Sequence, residues 1–564
     1  MNVNGVAAQA FIMHADFIRL VIRSVKATGL LEQKHVNKIA GSLQDWNKEI
    51  VGIYAAILVC TLFYHITKFF MRKNLGKRIV SVKGGWPFIG QVFTMIKGSP
   101  WDTMARWSKQ YGGVYSFTLF GNESICVSDP EILRGILQTQ MTIFKKDVEW
   151  TYKPFLEVLG NGLVTADGES WRRQRVLLSN YLRIEILEQV PTSTFAAVER
   201  LCAKLDAKKK SGESIEMAEE FRTLTLQVIA ELLMSLDPIE ADEVFAKLYL
   251  PIMEEGNLRV WNPTRSYNIF LPAWWQHLAN VRSLNNYLTK IIHTRWALQQ
   301  QERANPPTNG ITRKLDVLDK VLSAIQPDEW ARENSKWVSQ IRDELKTFVL
   351  AGHETSASML AWTLYEMHAS RGDRTNIDRI LAEAERVYHG HCDANGKVVS
   401  MPPRSVLAGD KEKAGSAYRG LDYTECCLRE SLRKYSIVPT VVRSVSADTM
   451  VGPYFFAQGA KIMVNMQGAH HDEQNWAEPM LYRPTRFTEG EIEKIKPYTF
   501  LPFIDGPRNC LGQFLSLLES KCVLSMLLKR YKFELMNPEN AGIKHSFMVP
   551  IIPAHGHYFR VYDK

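Results

Sequence analysis

One ten-residue segment, Phe503–Gly512, limits what this 564-residue chain can fold into more than any other part of the sequence. It reads Phe-Ile-Asp-Gly-Pro-Arg-Asn-Cys-Leu-Gly, and an apolar helix is predicted to begin near Gln513. Cys510 therefore stands just before a helix N-terminus, where the helix dipole stabilises negative charge and favours the thiolate over the thiol. A fold that carries this segment must leave room for a partner of that sulfur.

The residues around this cysteine indicate what the partner is. Gly506 and Gly512 permit unusual backbone angles and let the backbone approach a large planar group. Arg508 can meet a carboxylate with two parallel hydrogen bonds, and Phe503 can pack against a ring. An ordinary buried thiol would not explain these residues at these offsets, so the sequence predicts that Cys510 is an axial ligand of haem iron.

The pattern Phe-x-x-Gly-x-Arg-x-Cys-x-Gly resembles the haem-binding signature of the cytochrome P-450 family of haem-thiolate monooxygenases. All the fixed positions of that signature match, and the similarity extends from about Gly84 to the C-terminus. The resemblance implies a mostly α-helical fold with small β-sheets and a haem b cofactor. It also implies a reaction that inserts one atom of dioxygen into a substrate and releases the other as water.

A second motif is Ala351-Gly352-His353-Glu354-Thr355, which resembles the family's Ala-Gly-x-Asp/Glu-Thr motif in the helix on the distal side of the haem. A threonine hydroxyl can bond a carbonyl one turn back and hold water. A carboxylate beside it can deliver protons, which the cleavage of dioxygen consumes. Glu354 and Thr355 are therefore predicted as the catalytic acid–alcohol pair.

Three further matches to the family concern arginines. Glu430 and Arg433 match its Glu-x-x-Arg motif, and their i, i+3 spacing places them on one helix face. By resemblance, Arg486 completes a structural network with them, although Thr485 replaces the usual glutamate. Two arginines and a tryptophan are predicted to contact the haem propionates: Trp171 and Arg175 of a Trp-x-x-x-Arg motif, and Arg443.

The N-terminal part predicts a membrane anchor. Residues 50–70 are apolar enough, and long enough, for a transmembrane helix; a buried soluble helix is the alternative. Lys68 lies near its end, and Arg72, Lys73, Lys77 and Arg78 follow it, which places the C-terminal part in the cytosol. Residues 1–49 form an extension that is either an amphipathic surface helix or an organelle presequence. Residues 71–90 are a basic, Gly/Pro-containing hinge, and residues 91–564 form the haem-binding monooxygenase domain.

Composition and charge restrict the partners. The net charge of +9 is mild for this length, and no basic run with interleaved aromatics indicates nucleic acid. No Gly-x-Gly-x-x-Gly follows a strand, so electrons must come from outside. The resemblance implies an NADPH-dependent flavoprotein reductase. Two interpretations stay open for Lys145, Lys146, Arg172, Arg173 and Lys521: a basic docking face for this reductase, or ordinary solvated surface charges.

The substrate is expected to be lipophilic, because the stretches that match the family's substrate-contacting segments are apolar or aromatic. These are residues 152–162, 262–275, 351–355, 437–442 and 547–550. A sterol or a long-chain fatty acid is favoured, with a carotenoid or another isoprenoid next. The open alternatives are a haem-thiolate isomerase or dehydratase that needs no dioxygen, and a non-enzymatic haem-binding protein. The anchor predicts the endoplasmic reticulum membrane, with a mitochondrial or plastid membrane as the alternative.

The pattern of apolar residues predicts helices over most of residues 101–350 and a long helix over 337–368. A hairpin is predicted around Gly121-Asn122, joining strands at 114–120 and 123–127. Further small sheets are expected between about 441 and 466. Residues 389–420 are polar and rich in glycine and lysine, and we interpret them as a surface insertion.

Overall fold

The computed structural model describes residues 59–60, 63, 76–87, 89–181, 184–305, 314–369, 374–408, 420–545 and 549–564. The predicted extension at residues 1–49 lies outside this part of the chain. The predicted transmembrane helix at residues 50–70 does so too, apart from Val59, Cys60 and Phe63. Within the described ranges, no helix combines the length and the apolar character that crossing a bilayer requires. The anchor therefore stays a prediction.

The chain divides into two compact units. One comprises Met1–Arg78 and Pro453–Phe455, and within its described part the backbone amide of Lys77 donates to the carbonyl of Pro453 (2.6 Å). The other comprises Ile79–Gly452 and Phe456–Lys564 and contains all the motifs discussed above.

Helices dominate the second unit, as the sequence predicts. They are α1 Val92–Ile96, α2 Pro100–Tyr111, α3 Pro130–Arg134, α4 Lys153–Leu159, α5 Gly168–Tyr181, α6 Ile184–Leu187, α7 Val190–Ser211, α8 Met217–Met234, α9 Pro238–Ala241, α10 Leu250–Trp261, α11 Pro272–Ala304, α12 Val317–Ser323, α13 Pro327–Ala369, α14 Thr375–Val387, α15 Arg404–Ala408, α16 Asp422–Tyr435, α17 Met466–His470 and α18 Gln513–Arg530. Single turns of other helix types cover Gly135–Thr139, Asp242–Tyr249, Pro263–Tyr267, Pro484–Phe487 and Ile492–Lys494.

The long helix α13 organises the core. Its 43 residues span roughly 64 Å at 1.5 Å per residue, with a break in the helical backbone at Glu333 (φ −130°, ψ 27°). Helix α8 packs along it, and the contact is close at Gly352, where a Cβ atom would lie 2.7 Å from Cγ1 of Ile229. The glycine of the Ala-Gly-x-Glu-Thr motif is therefore required by packing between these two helices.

The strands form small sheets. They are β1 Val80–Ser81, β2 Val114–Leu119, β3 Asn122–Val127, β4 Phe144–Lys146, β5 Ile215–Glu216, β6 Thr440–Val445, β7 Thr449–Val451, β8 Tyr454–Phe456, β9 Lys461–Asn465, β10 Tyr531–Leu535 and β11 Tyr558–Asp563. One mixed sheet has the order β1-β2-β3-β9-β6-β4, in which β1–β2 and β3–β9 are parallel and the other pairs are antiparallel. A second sheet, β10-β11-β5, is antiparallel.

The predicted hairpin is confirmed, because β2 and β3 pair with Leu119 opposite Asn122 across the turn. The sheet expected between 441 and 466 is confirmed by the β6–β9 pair, whose register places Arg443 opposite Ile462. The Gly/Pro segment of the predicted hinge also takes part in this region, through bridges from Gly90 to Trp86 and to Leu119. Residues 409–419 of the predicted surface insertion lie outside the described part of the chain.

Candidate active site

The cysteine segment forms a closed loop before α18. The amide of Cys510 donates to the carbonyl of Phe503 (2.8 Å), and Ile504 and Gly506 both have positive φ (54° and 76°). A Cβ atom on Gly506 would collide with the carbonyl oxygen of Leu137. This glycine is therefore needed for the turn and for packing against the protein backbone, whereas the sequence suggested approach to a planar group.

The side chain of Cys510 lines open space at this helix N-terminus. Cys510 is exposed, and a Cβ atom on Gly512 would have no neighbour within 4 Å. Burial nevertheless raises the pKa of the Cys510 thiol, and the backbone amides of Gly512 and Gln513 and the Arg175 guanidinium offset this only in part. The helix N-terminus favours the thiolate, as expected from the sequence, but burial opposes it. A positive charge at the sulfur is needed to hold the thiolate form.

The Glu354–Thr355 turn of α13 lies close to the cysteine helix. The hydroxyl of Ser356, the next residue, is 2.8 Å from that of Ser516 on α18. On the other side of the turn, Ala351 is exposed although residues 341–349 and 356–364 of the same helix are mostly buried, and the Thr355 hydroxyl donates to its carbonyl (2.7 Å). The structure therefore brings Thr355 and Cys510 to neighbouring elements, each with a face directed into open space.

The Glu354 side chain is largely buried, with Arg222 and Glu254 nearby. Burial raises the pKa of its carboxyl to about 7, although the nearby Arg222 lowers it. The adjacent His353 is fully buried and its Nδ1 is 2.6 Å from the carbonyl of Val349. Burial lowers the pKa of His353 to about 4, so this imidazole is neutral at pH 7. Glu354 therefore exchanges its proton near neutral pH, which is the range that a proton donor requires.

Three cations converge beside the cysteine loop. Lys146 on β4 is the cross-strand neighbour of Arg443 on β6, and the charge of Arg443 lowers the pKa of both Lys146 and Arg508. Burial and these like charges hold the pKa of Lys146 well below its usual range and that of Arg508 at about 10. The carboxylate that faces them, Asp167, forms an ion pair with Arg508. Like charges opposite each other destabilise a sheet. Additional anionic groups bound at this cluster would remove that repulsion.

Trp171 and Arg175, both on α5, take different partners. The Arg508 guanidinium lies 4.1 Å from the centre of the Trp171 ring. Arg175 donates to the carbonyl of Asn509 (2.7 Å) and to its side-chain oxygen. Arg175 is therefore directed at the cysteine loop, and its contact with a propionate stays a prediction. Trp171 lies with the cation cluster.

Glu430, Arg433 and Arg486 form a buried ion network. Arg433 contacts the Glu430 carboxylate through two hydrogen bonds (2.8 and 2.9 Å), and Arg486 contacts it at 3.3 Å. Arg433 also donates to the carbonyl of His470 (3.0 Å), whose Nε2 accepts from the amide of Leu501 (2.8 Å). The network is thereby connected to the chain just before Phe503.

In the structure, two of the five residues of the predicted basic face are turned inward or buried. The Lys146 ammonium turns inward and donates to the carbonyl of Val164. Lys521 is buried and pairs with Glu425 (2.9 Å). Lys145, Arg172 and Arg173 are exposed. The sequence placed both Lys145 and Lys146 at the surface. Which of two adjacent lysines in a strand faces inward depends on the strand register, and the sequence does not give that register.

A haem is the group that these features fit. The exposed Cys510 fits the haem iron, and the cation cluster fits its two propionates. The exposed Ala351–Thr355 turn fits the distal side of the ring. Asp167 is the carboxylate that pairs with this cluster, so the remaining buried positive charge would otherwise be costly.

Comparison with known proteins identifies the family. The family model for cytochrome P450 matches residues 81–555. The chain is 26% identical over 442 residues to the protein LUTEIN DEFICIENT 5, chloroplastic, of Arabidopsis thaliana, covering 75% of this chain and 68% of that protein. It is 26% identical over 499 residues to cytochrome P450 4c21 of Blattella germanica (85% and 93%), and 26% identical over 424 residues to human cytochrome P450 4F8 (72% and 74%).

Solved structures give the same fold. The haem domain of cytochrome P450DA superposes with a TM-score of 0.70 at 20% identity, covering 87% of this chain and 99% of that domain. The chain therefore belongs to the cytochrome P450 family of haem-thiolate monooxygenases, and its cofactor is haem b.

Proposed function

We propose that this monooxygenase oxidises a lipophilic substrate, a long-chain fatty acid or a sterol, at a haem held by Cys510. Arg443, Arg508 and Lys146 would bind the propionates beside Trp171, and Phe503, Gly506 and Gly512 would shape the loop under the ring. Arg175 would position the loop through Asn509. The observation that carries the proposal is the cation cluster beside the accessible Cys510 sulfur.

When bound, the haem supplies the activation of dioxygen, and a thiolate ligand favours cleavage of the O–O bond. The residues of the chain then hold water and donate protons. The Thr355 Oγ1, anchored on the Ala351 carbonyl, can hold a water at the accessible side of the turn. Glu354, with its pKa near 7, can give up the proton at its carboxyl oxygen and take another. This pair also favours oxygen chemistry over the isomerase or dehydratase alternative.

Exposed apolar side chains support the proposal that the substrate is lipophilic and arrives from a membrane. Phe270 is 91% exposed and Trp275 60% exposed, and Tyr267 and Ile269, just before them in sequence, are exposed too. Aromatic side chains of this kind settle at a membrane interface. An isoprenoid remains the second substrate class, since the name of the Arabidopsis relative contains lutein, an isoprenoid pigment.

The remaining parts of the proposal concern electrons and location. We expect an NADPH-dependent flavoprotein reductase as the electron donor, docking near the exposed Arg172 and Arg173. We expect residues 50–70 to anchor the chain in the endoplasmic reticulum membrane with residues 91–564 in the cytosol. A mitochondrial or plastid membrane is the alternative.

The test is reconstitution with a lipid panel. Fatty acids, sterols and isoprenoids are titrated against the ferric protein to find those that displace water from the iron, and these are then incubated with reductase, NADPH and dioxygen. An oxygenated product that requires all three components is expected. Product formation without NADPH or dioxygen would contradict the proposal.

Thr355→Ala is expected to keep the haem and to divert electrons from product to hydrogen peroxide. Without the hydroxyl, the ordered water and its proton are lost, and the rate of product formation should fall by about 100-fold. Product and peroxide per NADPH are measured together. Thr355→Ser, which keeps a hydroxyl, is the matched control and should stay coupled. Unchanged coupling in Thr355→Ala would remove the residue from proton delivery.

The exposed aromatic segment is expected to bind lipid without the N-terminal region. A form lacking residues 1–75 should still sediment with phospholipid vesicles, and Phe270→Ser with Trp275→Ser should weaken that binding by about 1,000-fold, since each buried aromatic contributes about 2 kcal/mol. Phe514→Ser, at another exposed phenylalanine, is the control. Equal binding by the double variant and the control would show that this segment does not contact the bilayer.

A further inference from the structure

Two adjacent carboxylates on α13 hold the loop Gly160–Leu163. The backbone amide of Asn161 donates to Oδ2 of Asp343 (3.0 Å), and the backbone amide of Leu163 donates to Oε2 of Glu344 (3.0 Å). Both carboxylates are buried. Backbone amides that lie away from water need an acceptor. In this loop the acceptors are side chains of α13, so the position of the loop depends on these two residues.

The two glycines of the loop bring its backbone against the same helix. A Cβ atom on Gly160 would collide with the Asp343 carboxylate, and one on Gly162 would collide with the Thr347 hydroxyl. Thr347 lies about one helical turn before Ala351, where the Ala-Gly-x-Glu-Thr motif begins. The loop therefore packs directly on α13, next to the turn that carries the proposed proton donor.

Two glutamines complete the attachment. Gln174 on α5 donates to the carbonyl of Asn161 (2.9 Å), and Gln340 on α13 donates to the same carbonyl (3.3 Å) and to Oε1 of Glu344 (2.9 Å). Burial raises the pKa of the Glu344 carboxyl to about 7, whereas the hydrogen bonds from Leu163 and Gln340 lower it. Both oxygens of this carboxylate are thus used to hold the loop.

The segment that follows the loop supplies the partners of the cation cluster. Lys146 donates to the carbonyl of Val164, and Arg508 forms its ion pair with Asp167. Val164 is bonded directly to Leu163, the last residue of the loop. A displacement of the loop would therefore move the groups that hold these cations in place.

We propose that Asp343 and Glu344 are positioning residues for haem binding: by holding the Gly160–Leu163 loop they keep the cation cluster in the arrangement that receives the haem propionates. The inference rests on the proposed assignment of the propionates to that cluster. Residues 160–167 then form a structural connection between α13, on the distal side, and the propionate side of the haem.

The rate of haem loss from the full-length, haem-loaded protein to excess apomyoglobin tests this proposal. Glu344→Met keeps a side chain of similar length but leaves the amide of Leu163 without its acceptor. Haem loss should become about tenfold faster, the effect of losing about one hydrogen bond. Glu344→Gln keeps an acceptor oxygen and should restore slow loss. Glu329→Met, at an exposed glutamate on the same helix, is the matched control.

Backbone hydrogen exchange, measured by mass spectrometry, shows whether the change is local. In Glu344→Met, residues 160–167 should exchange faster while α8 is unchanged. Gly162→Ala displaces the loop from Thr347 and should produce the same faster haem loss and the same local exchange. Equally faster exchange in α8 would indicate general destabilisation and would overturn the positioning role.

Haem loss from Glu344→Met as slow as from the Glu329→Met control would also overturn the proposal. Failure of the propionate assignment gives a different result. In that case Arg443→Gln would lose haem no faster than the unsubstituted protein, although exchange in residues 160–167 would still respond to Glu344→Met.

Discussion

Cys510→Ala is expected to abolish the red-shifted absorption band that thiolate-ligated haem gives in its ferrous carbon monoxide complex. The sulfur is the only atom of this side chain able to ligate iron, so the loss should be complete. The loop itself should survive, because its closing hydrogen bond joins the backbone amide of residue 510 to the carbonyl of Phe503. The Arg175 contacts go to Asn509 and do not involve the sulfur.

Cys392→Ala provides the control for this experiment. Cys392 is another free cysteine, half-buried at the bridge with Val398 and remote in sequence from the loop. Its substitution should leave the band unchanged. Haem content by pyridine haemochrome and far-ultraviolet circular dichroism establish that each variant is folded. A Cys510→Ala protein that retains the band would show that another atom holds the iron, and the site proposed here would then be wrong.

Much of the fold was predictable because its signals are local. The β2–β3 hairpin follows from Gly121-Asn122 between two apolar runs. The long helix α13 follows from sustained apolar periodicity, and the cysteine loop from a motif with all its fixed positions present. In each case a few adjacent residues carry the information, so that no knowledge of distant contacts is needed.

The parts that sequence reasoning missed depend on distant contacts. Lys146 joins the cation cluster only because β4 pairs with β6. His470 joins the Glu430 network through its backbone carbonyl, which no side-chain motif can indicate. Arg222 faces Glu354 across more than 130 positions of sequence. The helix-start amides of Gly512 and Gln513 lower the pKa of Cys510 as expected, but the opposing effect of burial is not visible in the sequence.

Glu430→Gln is expected to lower the free energy of unfolding by about 3–5 kcal/mol, because it leaves two buried arginines without their counter-charge. Glu430 and Arg433 are both fully buried, and Arg486 is nearly so. The glutamate also accepts from the backbone amide of Arg483 (2.9 Å), which ties α16 to the segment that follows. Denaturant unfolding of the haem-loaded protein, followed by circular dichroism, measures the change.

The same substitution should loosen the haem ligand as well as the fold. Arg433 supports His470, and His470 accepts from the amide of Leu501, two residues before Phe503. We therefore expect Glu430→Gln to weaken the thiolate band at a denaturant concentration at which the helices remain folded. Glu473→Gln breaks an exposed ion pair with Lys109 and should cost no more than about 1 kcal/mol. If both variants unfold at the same denaturant concentration, the buried network does not support the cysteine loop. The region before Phe503 must then be held by its aromatic packing, including the Phe487 and Phe500 rings, whose centroids are 4.7 Å apart.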